Sequence, residues 1–205
     1  MNNIAHNIGK INIFFRQKEQ FRLPFHGFMS KTSLKRQLMM LDRDQIATVL
    51  LELYDARKDA REYLEYYVNP DENKMLEKYK SVIAKEFFPS KGRPRARTSV
   101  CKKAVKEFIT LHPGPGLVVE LRLFLLENLV RYALRMKSWI KDSHCRTACS
   151  VLEDTLDYMF VYDLTDAYIR RVDNILLTAG GIRGELPFRL GEIYDGFSGN
   201  THDRR

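Results

Sequence analysis

From Leu34 to Leu176 apolar residues return every three or four positions, the period of an α-helix, in runs that end at proline, glycine or a capping acid. Leu34, Leu38 and Leu41 open the series. Asp42 follows as an N-cap with Gln45 three residues on, an approximate capping box. Ile46, Val49, Leu50, Leu53 and Tyr54, then Tyr63, Leu64, Tyr67 and Val68, carry helix up to Asn69-Pro70, with Asp55 placed to cap a break between them. Asp71 caps the next helix, whose stripe is Met75, Leu76, Tyr79, Val82, Ile83 and Phe87, and Pro89 stops it. Thr98 or Ser99 is expected to cap a helix carrying Val100, Ala104, Val105, Phe108 and Ile109.

Breakers at His112-Pro113-Gly114-Pro115-Gly116 give a turn, with Pro115 suited to a first helical turn. Leu117 to Met136 is the most apolar helix and should be central, with Val118, Leu121, Phe124, Leu125, Leu129, Tyr132 and Met136 inward. Cys145, Cys149, Leu152, Leu156, Met159 and Phe160 form the next stripe, and Leu164, Tyr168, Val172, Ile175 and Leu176 another. Trp139 should pack near a helix end. Six of the eleven glycines fall between Gly180 and Gly199, where only a short helix near Pro187 to Tyr194 is expected, followed by a fraying polar end. Alternating β-branched runs are nearly absent, so strands are not expected.

The fold class implied is all-α: a single-domain multi-helix bundle or irregular helical array of about seven helices, built around Leu117 to Met136. It should occupy residues 29–197, with a polar tail at 198–205. Residues 1–28 have no clean period, and Met29-Ser30-Lys31-Thr32-Ser33-Leu34 reads like the beginning of a protein. They are expected to be either a disordered N-terminal extension or an over-extended start.

Charge is concentrated in one place. Of the net +8, the stretch from Pro89 to Lys106 supplies +7, through Lys91, Arg93, Arg95, Arg97, Lys102, Lys103 and Lys106 with no acid among them. The rest of the chain, with 27 basic and 26 acidic residues, is close to neutral. Such a block suits an anionic partner. No window offers the roughly 20 apolar residues of a membrane span, and no signal peptide is evident. Three cysteines, Cys101, Cys145 and Cys149, do not make a disulfide framework, which favours a reduced cytoplasm.

Within the block, Gly92-Arg93-Pro94 looks like the core of an AT-hook, an extended peptide that inserts arginines into a narrow A·T minor groove. Arg93 and Arg95 would be the inserted residues. Lys91 stands where that motif has arginine, and lysine lacks the flat guanidinium. A solvated loop, or one paired with neighbouring acids, is the plainer alternative.

Other constellations are weaker. Cys145 and Cys149, with His144 adjacent, have helical ligand spacing, and Cys101 and His112 are the remaining candidates for zinc, but both cysteines lie on an apolar stripe. Glu153, Asp154, Asp157, Tyr158, Asp163 and Asp166 offer acids without demonstrable convergence, as on a solvated helix face. Gly180-Gly181-Ile182-Arg183-Gly184 lacks the Gly-Lys-Ser/Thr ending of a phosphate loop, and a left-handed glycine helix end accounts for it better.

From Met29 to about Phe197 the chain resembles an uncharacterised family of small all-helical bacterial proteins. The resemblance lies in Ser33-Leu34-Lys35 with its paced leucines, Asp55 to Tyr67 followed by Asn69-Pro70, and Lys78 to Phe88. It continues through the Lys/Gly/Arg loop into Lys102-Lys103-Ala104, and ends at Gly191-Glu192-Ile193-Tyr194. It implies a helical fold and supplies no chemistry.

The function expected first is a helical protein-interaction module that binds an unknown partner or itself, with no catalysis, cofactor, metal, membrane or small-molecule substrate. The alternative is a nucleic-acid-associated protein that uses residues 91–106. An enzyme of unknown type is the remaining class.

Overall fold

The structure, a computed structural model, describes residues 29–136 and 141–202. Among these the fold is all-α, with nine helices and no strand. They are α1 (Lys31–Leu38), α2 (Arg43–Ala56), α3 (Lys58–Val68), α4 (Glu72–Phe87), α5 (Thr98–Thr110), α6 (Pro115–Met136), α7 (Asp142–Val161), α8 (Thr165–Ala179) and α9 (Leu186–His202). Trp139 and residues 1–28 lie outside the described residues.

Helix number and length depart from expectation in two places. The run from Ile46 to Val68 is interrupted at Arg57, whose backbone is extended (φ −134°, ψ 116°), so it gives α2 and α3. Asp55 lies inside α2, next to its last residue. At the other end, α9 is seventeen residues long despite Gly191, Gly196 and Gly199, and it passes through the expected polar tail to His202. Glycine lowers helix propensity by about 1 kcal/mol per residue, and burial of Leu186 and Leu190 against the bundle overrides that cost.

The chain divides into two compact units at Lys58/Asp59, where one domain over 29–197 was expected. The described part of the first comprises α1 and α2. Ser30 caps α1 by accepting from the Ser33 amide, and Asp42 and Gln45 form the full capping box of α2. Neither helix buries a single residue.

The second unit is built on α6. Ten of its residues are buried, including the consecutive pairs Val118-Val119, Leu125-Leu126 and Leu129-Val130, so it is apolar nearly all round rather than along one stripe. α4, α5, α7 and α8 pack against it, and α9 packs on α7 and α8. Met136, expected inward, is exposed at the helix end, as is Phe160 on α7. Asp71 caps α4 through the Lys74 amide, and Pro115 opens α6 as anticipated. The end of α8 differs from expectation: Gly180 is right-handed (φ −55°), and the positive φ falls at Gly184 (+114°), in the turn to α9.

Charged side chains also tie α4, α6 and α8 together. Arg171 on α8 holds Glu127 through Nε (2.6 Å) and Nη2 (3.1 Å) and donates through Nη1 to Glu120. Lys80 on α4 reaches Glu120 at 2.8 Å. Burial works to raise the Glu120 pKa, yet hydrogen bonds and charge from Lys80 and Arg171 together hold it below the ordinary value.

Candidate functional site: a clamped basic loop

The loop between α4 and α5 carries the basic block, and its shape begins with Glu86. This residue is only 7% exposed, at the end of α4. Its main-chain carbonyl accepts from both the Arg95 amide (3.1 Å) and the Ala96 amide (2.8 Å). Its carboxylate accepts from the Arg97 amide (3.2 Å), Nε (3.1 Å) and Nη2 (2.6 Å). One glutamate thus closes the loop through both its backbone and its side chain. The guanidinium hydrogen bonds hold the Glu86 carboxyl below the ordinary glutamate value, against the opposing effect of burial.

The other face of the loop is held from α7. Ala96 is buried and left-handed (φ 49°), a conformation that costs an alanine roughly 1 kcal/mol and persists only where its surroundings impose it. Its carbonyl accepts from His144 Nε2 at 2.9 Å, which assigns the proton to that nitrogen. His144 Nδ1 is buried and meets no hydrogen-bond partner among the described residues. The imidazole stacks on Tyr132 (centroids 5.8 Å), and Tyr132 in turn lies 5.6 Å from Phe87. A chain of rings therefore runs from the end of α4 through α6 to the loop.

The seven basic residues do not play one part. Arg97 is the inner half of the clamp, and its side chain is committed to Glu86. It is also the N-cap residue of α5, with no side-chain cap bond, in place of the expected Thr98 or Ser99. The carboxylate that fixes Arg97 sets where the helix starts. Lys91, Arg93 and Arg95 are exposed on the loop, around Gly92 (φ 83°) and Pro94. Lys102, Lys103 and Lys106 are exposed on α5, opposite its buried face of Cys101, Ala104 and Phe108. Lys103 makes a long 3.4 Å pair with Glu107. Among the described residues Lys91, Arg93, Arg95, Lys102 and Lys106 form no salt bridge. A further cation arrives from α6, where Arg131 lies 5.3 Å over the ring of Phe88, at the start of the loop. Spacing along the sequence gave no hint of Arg131 or of Glu86, because both reach the loop through tertiary contact.

The other candidate groups do not come together. His144 is taken up by Ala96, and exposed His112 sits in a turn (φ 54°). Burial pushes the Cys101 thiol up to about 12, and it also raises Cys145 and Cys149, so all three are poor nucleophiles at neutral pH. Among the described residues no three His, Cys, Asp or Glu side chains converge as a metal site would require. Asp154 and Asp157 are exposed, and Arg122 donates to the main-chain carbonyl of Asp154 while lying over the Tyr158 ring.

Acid should loosen the clamp. The folded-state pKa of Glu86 is depressed, so its contribution is present above the unfolded pKa and is lost as pH falls through the folded one. Melting temperatures of wild type and Glu86→Gln, taken from pH 7 down to about 3, should converge as the wild-type carboxylate protonates. A gap of constant size across that range would show that the ion pair is not its source.

These features define an all-α protein that presents a braced cationic loop, and no described helix is long and apolar enough to cross a membrane. The model of a family of unknown function (DUF6155) matches residues 29–185, and the chain belongs to that family. The match starts at Met29 and stops short of Gly191 to Tyr194, so α9 beyond Glu185 lies outside it. Comparisons with curated proteins and with solved structures gave no match.

Proposed function

We propose that this chain is a non-catalytic, reduced-compartment binding protein that contacts the phosphate backbone of nucleic acid through the loop and α5. The observation that carries this reading is a set of five exposed cations, Lys91, Arg93, Arg95, Lys102 and Lys106, without salt-bridge partners on a frame fixed by Glu86 and His144. A block that served only solubility or internal pairing would not need so rigid a mount. Prior bracing lowers the ordering cost of binding. Consistent with a non-catalytic role, Glu86 and Glu120 each face basic side chains that lower the carboxyl pKa, away from the neutral range that suits a general acid or base.

Fluorescence anisotropy with labelled A·T-rich and G·C-rich duplexes at several salt concentrations tests it. Each phosphate neutralised adds about −0.9 to the slope of log K against log salt, so five contacts give a slope near −4 to −5. Arg93→Ala with Arg95→Ala should make the slope shallower by about 2 and leave the melting temperature unchanged. Preference for A·T over G·C would identify a minor-groove contact of the AT-hook kind. Absence of binding at about 20 mM salt, where electrostatics are strongest, would sink the reading.

A second reading, a helical protein-interaction module, is supported by the first unit. α1 and α2 bury no residue, while Leu34, Leu50, Leu51 and Leu53 are exposed on them and Met39 and Met40 in the turn between. Apolar exposure of this kind is typical of a docking surface.

A further inference from the structure

An eight-residue helix is well below the roughly 12–15 residues at which a helix stands alone in water, so α1 depends on something packed against it. The apolar space beside it is a groove of about 360 Å³ between α1 and α2, lined by Lys31, Leu34, Lys35, Leu38, Met39 and Ile46. Four of the six are apolar, and no acid lines it among the described residues. Lys31 and Lys35 are four residues apart, so they share one face of α1, and both are exposed where they line the groove. Methionine at such a surface adapts to more than one partner shape.

Charge decides among the occupants. A second copy that laid its own α1 in the groove would bring more positive charge to a basic rim, because α1 carries Lys31, Lys35 and Arg36 and no acid. Residues 1–28 carry Lys10, Arg16, Lys18 and Arg22 against the single acid Glu19, so they too would bring like charge to the rim. We infer that the α1–α2 groove takes an amphipathic helix of a different protein, with leucine-type residues entering between the helices and glutamates or aspartates meeting Lys31 and Lys35. This rests on the reading of the first unit as a protein-docking surface, and it is the helix-in-groove mode of recognition.

The probe is a fluorescein-labelled synthetic helix with leucines at i, i+3, i+4 and i+7 flanked by glutamates, titrated against the full chain. A second peptide has lysine in place of every glutamate. The acidic peptide should bind wild type, whereas Lys31→Glu with Lys35→Glu should weaken it by at least about fivefold, as expected for two rim pairs turned repulsive, and should gain affinity for the lysine peptide. Both lysines are exposed, so circular dichroism of that variant should match wild type. If both peptides bind wild type equally and Leu34→Glu abolishes both, the docking surface stands and the acidic partner is overturned. If neither peptide binds, the groove is not a docking surface of this kind. Concentration-dependent dimers in sedimentation that disappear in Leu34→Glu would make a second copy the occupant and overturn the proposal.

Discussion

Phe87→Ala should destabilise the protein by about 4 kcal/mol, close to the upper end of what one core truncation costs. Phe87 is fully buried at the last turn of α4, and the loss combines the transfer term with a cavity that the tightly packed α6 cannot close. Because Tyr132 lies against Phe87 and carries the His144 ring, the cavity should also free the imidazole and loosen the hold on Ala96. Chemical denaturation reads the stability, and amide exchange at Ala96 reads the loop. Phe87→Leu should recover most of both. A loss under about 2 kcal/mol, or unchanged exchange at Ala96, would show that the site collapses and that the ring chain does not brace the loop.

Arg171→Ala is the second large effect, expected at about 2–3 kcal/mol, since removing one partner strands the opposing charges while their partial exposure softens the cost. Glu120 and Glu127 are 24% and 31% exposed, and Glu127 would lose every salt bridge it makes among the described residues, whereas Glu120 keeps Lys80. Replacing Arg171 and Glu127 together by methionine should cost less than Arg171→Ala alone, because the double change leaves no unpaired carboxylate at that position. The depressed Glu120 pKa adds a pH signature: wild type loses the network's contribution as pH falls through it, so the gap to the variant narrows in acid. A double variant worse than the single would mean that Glu127 contributes apart from its pairing with Arg171.

Much of the helical plan was readable because it is local. The Asp42–Gln45 box, the Asp71 cap and Pro115 at the start of α6 each act within one turn, and the structure has all three. The stripes that pack α4, α6 and α7 follow the same period. What escaped depends on residues distant in the chain. Glu86 is one acid in the ordinary string Lys85-Glu86-Phe87, and only folding brings it to Arg97 and to two loop amides. Ala96 gives no sign of a left-handed backbone, which glycine or asparagine would have announced. Charge counting placed Arg97 with the ligand-facing cations because composition does not reveal pairing. The ion network left one visible trace, the acids Glu120 and Glu127 within the most apolar helix, which a solvated helix face explained equally well. At the chain's end, glycine content argued for loop, while burial of Leu186 and Leu190 made helix.

The two amides that share the Glu86 carbonyl also mark a boundary in what this protein can change. At positions 91 and 93 the side chains are exposed, and Arg95 adds to the brace through its backbone amide and through the charge it sets near Glu86. Substitution of Lys91 or Arg93 should therefore cost the fold little, so the charge the loop presents can be changed while its mount stays fixed. Glu86, Ala96 and His144 have no such freedom, because each change moves the frame itself. The loop thus separates the residues that give it charge from the residues that give it shape.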